Sequence, residues 1–154
     1  MTENKLDISK ATEAIKDARF VDALSLLESN LEKDPNHIDS LYLAAVSSRY
    51  LKNYDEAKKY IESLLSQAPD MGRAYQELGH LNRDIGNQEN SIAHYRQACE
   101  LNPALLSSWK ALYDYFRTGN NKPAADHAFM QMNTLQSIPS ILLYISQILN
   151  EGKL

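Results

Sequence analysis

Three runs of side chains, each spaced by three, four and three residues, carry most of the chemistry this sequence offers. Asp39, Tyr42, Val46 and Arg49 form the first, Arg73, Gln76, His80 and Arg83 the second, and Ser107, Lys110, Asp114 and Arg117 the third. That spacing places each run on one face of a helix. The chemistry it suits is recognition: guanidinium and ammonium groups hold carboxylates through charge-assisted hydrogen bonds, while Tyr42, Tyr50, Gln76 and His80 suit a peptide surface. Counting Asp84 beside Arg83, the cations Arg49, Arg73, Arg83, Lys110 and Arg117 stand against Asp39, Asp84 and Asp114, a modest positive excess in a chain of formal charge −4. The competing reading is a solvated face in which charges pair at one-turn spacing, as Lys110 with Asp114, each pair worth about 0.2–0.5 kcal/mol.

Covalent and metal chemistry find little support. The four histidines, His37, His80, His94 and His127, do not stand with another His, Cys or carboxylate at a metal-ligand spacing, so no metal and no cofactor are expected. His94 and His127 sit close to Tyr95 and Phe129 and are expected at a rim or in solvent. Cys99 follows Ala98 in a helical stretch and reads as a small buried packing residue, not a nucleophile. The sequence contains no glycine-rich phosphate loop, no Gly-x-Ser-x-Gly elbow and no His-Glu-x-x-His. It reads as non-enzymatic.

Composition narrows the class further. Apolar residues at 44% and charged residues at 23% are ordinary globular values. The lone cysteine cannot form an internal disulfide, and the polar stretch Met1 to Lys10 has no apolar run of a secretory signal, so the expected compartment is cytoplasmic. Ile138 to Leu149, about twelve residues interrupted by Pro139, Ser140, Ser146 and Gln147, is shorter than the ~20 residues a membrane-spanning helix needs. The negative net charge gives no global attraction to nucleic acid.

The elements that position these residues follow from a period. Pro35, Pro69 and Pro103 stand 34 residues apart, each preceded at twelve residues by a small residue (Ala23, Ala57, Ser91) and at eight by a large apolar one (Leu27, Ile61, Tyr95). A fourth copy continues with Ala125 and Phe129, and Ser137 stands where the proline would be. A period in this range signals an array of supersecondary units. Within the copy Gly72 to Leu105, helical spacing is interrupted at Gly86 and Asn87, which predicts helix, turn, helix. Asn87 and Asn53 are expected to cap the second helices, with Glu56 completing a capping box, and Asn36 and Asp70 are expected to start the first helices. Ala45 and Gly79 are expected to let each first helix approach Ala57 and Ser91 on the second. Leu41, Tyr75 and Trp109 fill the spaces between, and Tyr95, Tyr113 and Phe129 fall on packing positions. The fold class is all-α: antiparallel helix pairs in one domain over 1–154, with repeats of about 4–37, 38–71, 72–105 and 106–139 and a terminal helix over 140–151.

Tyr75, Leu78, Gly79, Ser91, Tyr95, Ala98 and Pro103 resemble the tetratricopeptide repeat, whose 34-residue pattern they follow closely. The resemblance implies an α-solenoid wound as a right-handed superhelix, with first helices lining a concave groove that receives peptides or protein segments. The groove residues are then Tyr42, Arg49, Tyr50, Arg73, Gln76, His80, Arg83, Lys110, Asp114 and Arg117. In the fourth copy Tyr113 replaces the usual small residue, and in the first copy Asp7 and Lys10 replace apolar ones, as befits an end cap. The segments GRAYQELGHLNRDIGN, LNPALLSSWKAL and ILNEGKL are similar to the N-terminal repeat region of bacterial proteins carrying a sulfotransferase domain downstream.

Three functions compete: a non-catalytic interaction module, probing acidic or carboxylate-bearing peptides in its groove; the regulatory or substrate-presenting front end of a sulfotransferase-like enzyme; and a self-associating scaffold. The last draws on Ile141, Leu142, Ile145, Ile148 and Leu149, an apolar helix with no second helix to cover it. A downstream domain, a second copy, or folding down as an ordinary cap would each cover it.

Overall fold

The computed structural model describes residues 7–150, apart from the side chains of Ser140, Ile141, Leu143, Ile148 and Asn150. Among the described residues all regular structure is helical: α1 (Ser9–Lys16), α2 (Phe20–Lys33), α3 (Ile38–Tyr50), α4 (Tyr54–Gln67), α5 (Gly72–Asp84), α6 (Gln88–Leu101), α7 (Leu106–Thr118), α8 (Lys122–Gln136) and α9 (Ser140–Asn150). The first helices α3, α5, α7 and α9 begin 34 residues apart, and so do the second helices α2, α4, α6 and α8.

The turn inside each repeat explains that regularity. Ala18, Lys52, Gly86 and Asn120, again one period apart, all have positive φ, between 56° and 82°. At each turn the amide after the positive-φ residue reaches back five residues: Arg19 to Ala14, Asn53 to Ser48, Asn87 to Asn82 and Asn121 to Phe116, at 2.8 to 2.9 Å. The positive-φ residue itself bonds three back, as Gly86 to Arg83 at 3.0 Å. This pair of bonds is a Schellman motif, which satisfies the last carbonyls of the first helix. The residue that closes it also opens the next helix. Asn87 and Asn121 accept the amides of Asn90 and Ala124 at 3.2 and 3.3 Å, as helix caps. Asn53 makes no such bond, its own amide is taken by the Ser48 carbonyl and Glu56 pairs with Lys59, 2.7 Å away, so the expected capping box does not form.

Between repeats the chain is redirected by extended residues before proline, Asp34, Ala68 and Asn102, with φ near −140° and ψ from 73° to 95°. The first helices start one residue later than the sequence suggested. His37 caps α3, its Nδ1 accepting the Ser40 amide at 3.3 Å, and Met71 precedes α5, whereas Asn36 gives its own amide to Asp34 at 3.0 Å.

The packing divides after Pro69 into two compact units. In the first, α1 packs on α2, α2 on α3 and α3 on α4. Its core is Ala11, Leu27 and Ala44, with Leu24, Leu31 and Tyr60 against them. In the second, α5 packs on α6, α6 on α7 and α7 on α8, around Tyr95, Cys99, Leu112, Phe116, Ala125 and Ala128.

Gly79 shows how the second unit closes. A Cβ there would lie 2.6 Å from the Tyr95 ring, so glycine is what lets the ring lie over the α5 backbone. Ser91 then donates its hydroxyl to the Gly79 carbonyl at 2.9 Å. One period later Tyr113 fills that space, its ring 5.6 Å from Phe129. Phe129 is consequently 45% exposed, whereas Leu27, Ile61 and Tyr95 at the same register are at most 1% exposed. The expectation that Phe129 is core is corrected by this substitution of Tyr for a small residue.

Candidate functional site

In the second unit the predicted groove residues lie on α5 and α7. Ser108 donates its hydroxyl to Gln76 Oε1 at 2.9 Å, tying the two first helices together and leaving the Gln76 amide nitrogen as a donor. His80 places Nδ1 2.6 Å from the Tyr95 hydroxyl, with the rings edge to face at 5.3 Å. This bond satisfies a phenol that burial would otherwise strand. Arg73 is half-buried, while Arg83, Lys110, Asp114 and Arg117 are exposed. Arg83 pairs with Asp84 at 3.3 Å, an exposed contact of small energetic weight. Arg117 lies 5.6 Å from the Tyr113 ring centroid.

Arg83 and Asp114 come together in a cleft of ≈ 290 Å³, walled by Ser91, Tyr95 and Ala111 and closed by Tyr115 and Thr118. A cation and an anion on the walls of a cleft floored by small and aromatic side chains are able to hold a polar chain. Sequence spacing placed both residues on the right helices, but not in one cleft.

In the first unit α3 carries Tyr42, half-buried, and Arg49, buried, with the Arg49 guanidinium 4.5 Å from the Tyr50 ring centroid. Tyr50 is exposed and stacks on Phe20, centroids 4.5 Å apart and planes within 3°. The Tyr50 ring is thereby fixed as a rigid surface, with Arg49 behind it as support. Nothing in the sequence marked Phe20, which precedes the periodic part of α2.

A second cleft, of ≈ 330 Å³, lies among α6, α7 and α8 and escaped sequence reasoning. Arg96, Cys99, Trp109, Phe116, Ala124 and His127 contribute to it. Its walls are packing residues: Trp109 donates Nε1 to the Pro103 carbonyl at 2.9 Å, His127 meets Trp109 edge to face at 5.5 Å, and the Arg96 guanidinium lies 5.1 Å from the Phe116 ring. Burial and the neighbouring Glu100 push the Cys99 thiol up to about 12, which suppresses the thiolate. His94, half-buried and 6.4 Å from Tyr75, has its pKa lowered by burial, while His127 is exposed. Among the described residues no group of His, Cys, Asp or Glu is arranged to hold a metal ion. No described helix is long and apolar enough to cross a membrane.

Of the residues proposed for self-association, Leu142, Ile145 and Leu149 are exposed, and the side chains of Ile141 and Ile148 lie outside the described residues. Residue 151 of the expected terminal helix lies outside them too.

Comparison with curated protein sequences returns no match. Among solved structures, the fold is similar to "MamA 41-end from Desulfovibrio magneticus RS-1", at 20% identity and TM-score 0.68, covering 86% of this chain and 77% of that one. "MamA RS-1 ArsTM double mutant" gives the same identity and TM-score over 84% and 72%. "Crystal structure of MamA protein" follows at 17% and 0.65, over 93% and 79%. These likenesses concern the fold. The narrower resemblance to repeat regions of sulfotransferase-family proteins finds no support in them. Two profiles described as tetratricopeptide repeat match residues 14–81 and 72–105, between them more than half of the chain, and the helix pairs, period and turns above are those of that repeat. The chain belongs to the tetratricopeptide-repeat family.

Proposed function

We propose that the chain is a non-catalytic protein-interaction module that binds an extended, carboxylate-bearing peptide or protein segment along the first helices α5 and α7 of its second unit. The observation that carries this reading is the set of exposed cations on α5 and α7, Arg83, Lys110 and Arg117, beside the cleft that holds Arg83 and Asp114. The Ser108–Gln76 bond supports it by fixing the spacing of the two helices, so that ligand contacts are preorganised. In the first unit, α3 offers contacts of its own in Tyr50 and Tyr42, with Arg49 acting through Tyr50.

Fluorescence anisotropy with a labelled peptide rich in Asp and Glu, carrying a free terminal carboxylate, tests the assignment. Arg83→Glu combined with Lys110→Glu should weaken binding by roughly tenfold or more, about 1.4 kcal/mol, and wild-type affinity should fall with added salt. Equal affinity of the folded double variant and the wild type sinks the reading.

A further inference from the structure

We infer that the cleft among α6, α7 and α8 is a binding site for a small aromatic monocarboxylate, its ring seated against α7 and its carboxylate held by Arg96. The first unit shows how the corresponding place is filled there. Tyr60 of α4 is half-buried against the core of Ala11, Leu27 and Ala44, and its hydroxyl donates to Glu28 Oε1 of α2 at 3.3 Å. A tyrosine thus closes the space between two second helices. Two periods of 34 residues later, the counterpart of Tyr60 is Ala128, each the seventh residue of its helix, and the counterpart of Glu28 is Arg96, each the ninth. Ala128 and Arg96 both line the cleft of ≈ 330 Å³. The ring is gone, and a base replaces the acid that met its polar end.

The repeat between them keeps a ring at this position. His94 of α6 is half-buried, 6.4 Å from Tyr75, so of α4, α6 and α8 only α8 has none there. The cleft stays open although α7 brings larger side chains to it, Leu112 and Phe116 where α3 has Ala44 and Ser48. With Trp109 they form an aromatic and apolar stripe along α7. Trp109 is held by its bond to the Pro103 carbonyl at 2.9 Å, so its ring is preorganised for a ligand.

Charge settles the other end of the ligand. The Arg96 guanidinium is exposed, lies 5.1 Å from the Phe116 ring and pairs with no carboxylate among the described residues. It is therefore able to take a ligand carboxylate through charge-assisted hydrogen bonds at the edge of the aromatic stripe. Glu100, one turn further along α6 and also on the wall, opposes a second negative charge, which favours a monocarboxylate over a diacid. The volume lies at the low end of the ~300–1,000 Å³ of small-molecule pockets and suits a ring with a short acid arm.

Trp109, the single tryptophan, reports on its own cleft. Hydrocinnamate titrated into the wild type should move the Trp109 indole N–H resonance along a saturating curve. Arg96→Gln, at an exposed position, should weaken binding by about tenfold, and hydrocinnamyl alcohol should bind the wild type no better than the acid binds that variant. Ala128→Tyr, which puts back the ring of Tyr60, should abolish the shift with helices intact by circular dichroism; should that chain not fold, Arg96→Gln and the alcohol decide. The Arg83→Glu, Lys110→Glu chain should bind the acid as the wild type does, because the cleft of Arg83 and Asp114 shares no residue with this one. No saturable shift, wild-type affinity in Arg96→Gln, equal binding of acid and alcohol, a folded Ala128→Tyr chain that still binds, or a shift caused by a phenylalanine-containing peptide and not by the acid would each overturn the inference.

Discussion

Gly79 is the position at which packing in the second unit is most tightly specified, and a double-mutant cycle there tests why. A methyl at Gly79 falls 2.6 Å from two atoms of the Tyr95 ring, so the ring has to retreat by about 1 Å to restore ordinary contact. Tyr95 is 1% exposed and its hydroxyl is fixed 2.6 Å from His80, which leaves it nowhere to retreat without losing that bond. Gly79→Ala gains about 1 kcal/mol in helix propensity, loses about 1–3 kcal/mol to overpacking and about 1 kcal/mol with the hydrogen bond. The expected net cost is about 1–3 kcal/mol, read as a lowered urea midpoint at unchanged slope. The second repeat shows what restores the fit. There Ala45 and Ile61 occupy the same register, both buried completely. Gly79→Ala with Tyr95→Ile recreates that pair, so the two changes should couple favourably by about 1 kcal/mol or more, although Tyr95→Ile alone costs about 2 kcal/mol through the void it leaves. Additivity within about 0.5 kcal/mol refutes the claim that the Gly79 backbone and the Tyr95 ring compete for one space.

Lys52 holds φ 62° without a glycine's freedom, and Gly86 holds φ 82° with no atom within 4 Å of where its Cβ would be. Lys52→Gly should therefore raise the thermal midpoint by relieving about 1 kcal/mol of strain, part of it offset by chain entropy, and Gly86→Ala should lower it through strain alone. Opposite or absent shifts would show that the turn accommodates any residue. Burial of Cys99, whose thiol is pushed up to about 12, predicts that a thiol reagent at pH 8 labels the native protein far more slowly than the urea-unfolded chain. Comparable rates would place the thiol outside the core.

The repeat period, the helix pairs and the positions of close approach were legible because each rests on local chemistry: prolines that end helices, small residues where backbones meet, and Asn87 as a cap. The turn conformation was not. Among the described residues only one of the four positive-φ positions is a glycine; Asn120 is a residue type that tolerates the left-handed backbone, but Ala18 and Lys52 give no sign of it. The unformed capping box at Asn53 has the same character, since the Asn53 amide is taken by the turn and Glu56 pairs with Lys59. For the candidate site, helix spacing located Gln76, His80, Arg83 and Lys110 on α5 and α7, but the Ser108–Gln76 bond, the burial of Arg49 and the stacking of Tyr50 on Phe20 depend on contacts between helices. The cleft around Trp109 was invisible because its residues are the ones that define packing.

Two departures mark the fourth repeat, and they act separately. Tyr113 stands where, one period earlier, Gly79 leaves space for the Tyr95 ring, and Phe129 is 45% exposed. Ser137 stands where Pro35, Pro69 and Pro103 precede it by whole periods, and Gln136, in register with the extended Asp34, Ala68 and Asn102, is the last residue of a 15-residue α8. A proline drives the residue before it out of the helical region. Ser137→Pro should therefore turn Gln136 extended and end α8 one residue earlier, read as the loss of helical chemical shifts at Gln136 with the remaining helices intact by circular dichroism. Gln136 shifts that stay helical in the variant would show that the proline is not what ends the second helices of the other repeats.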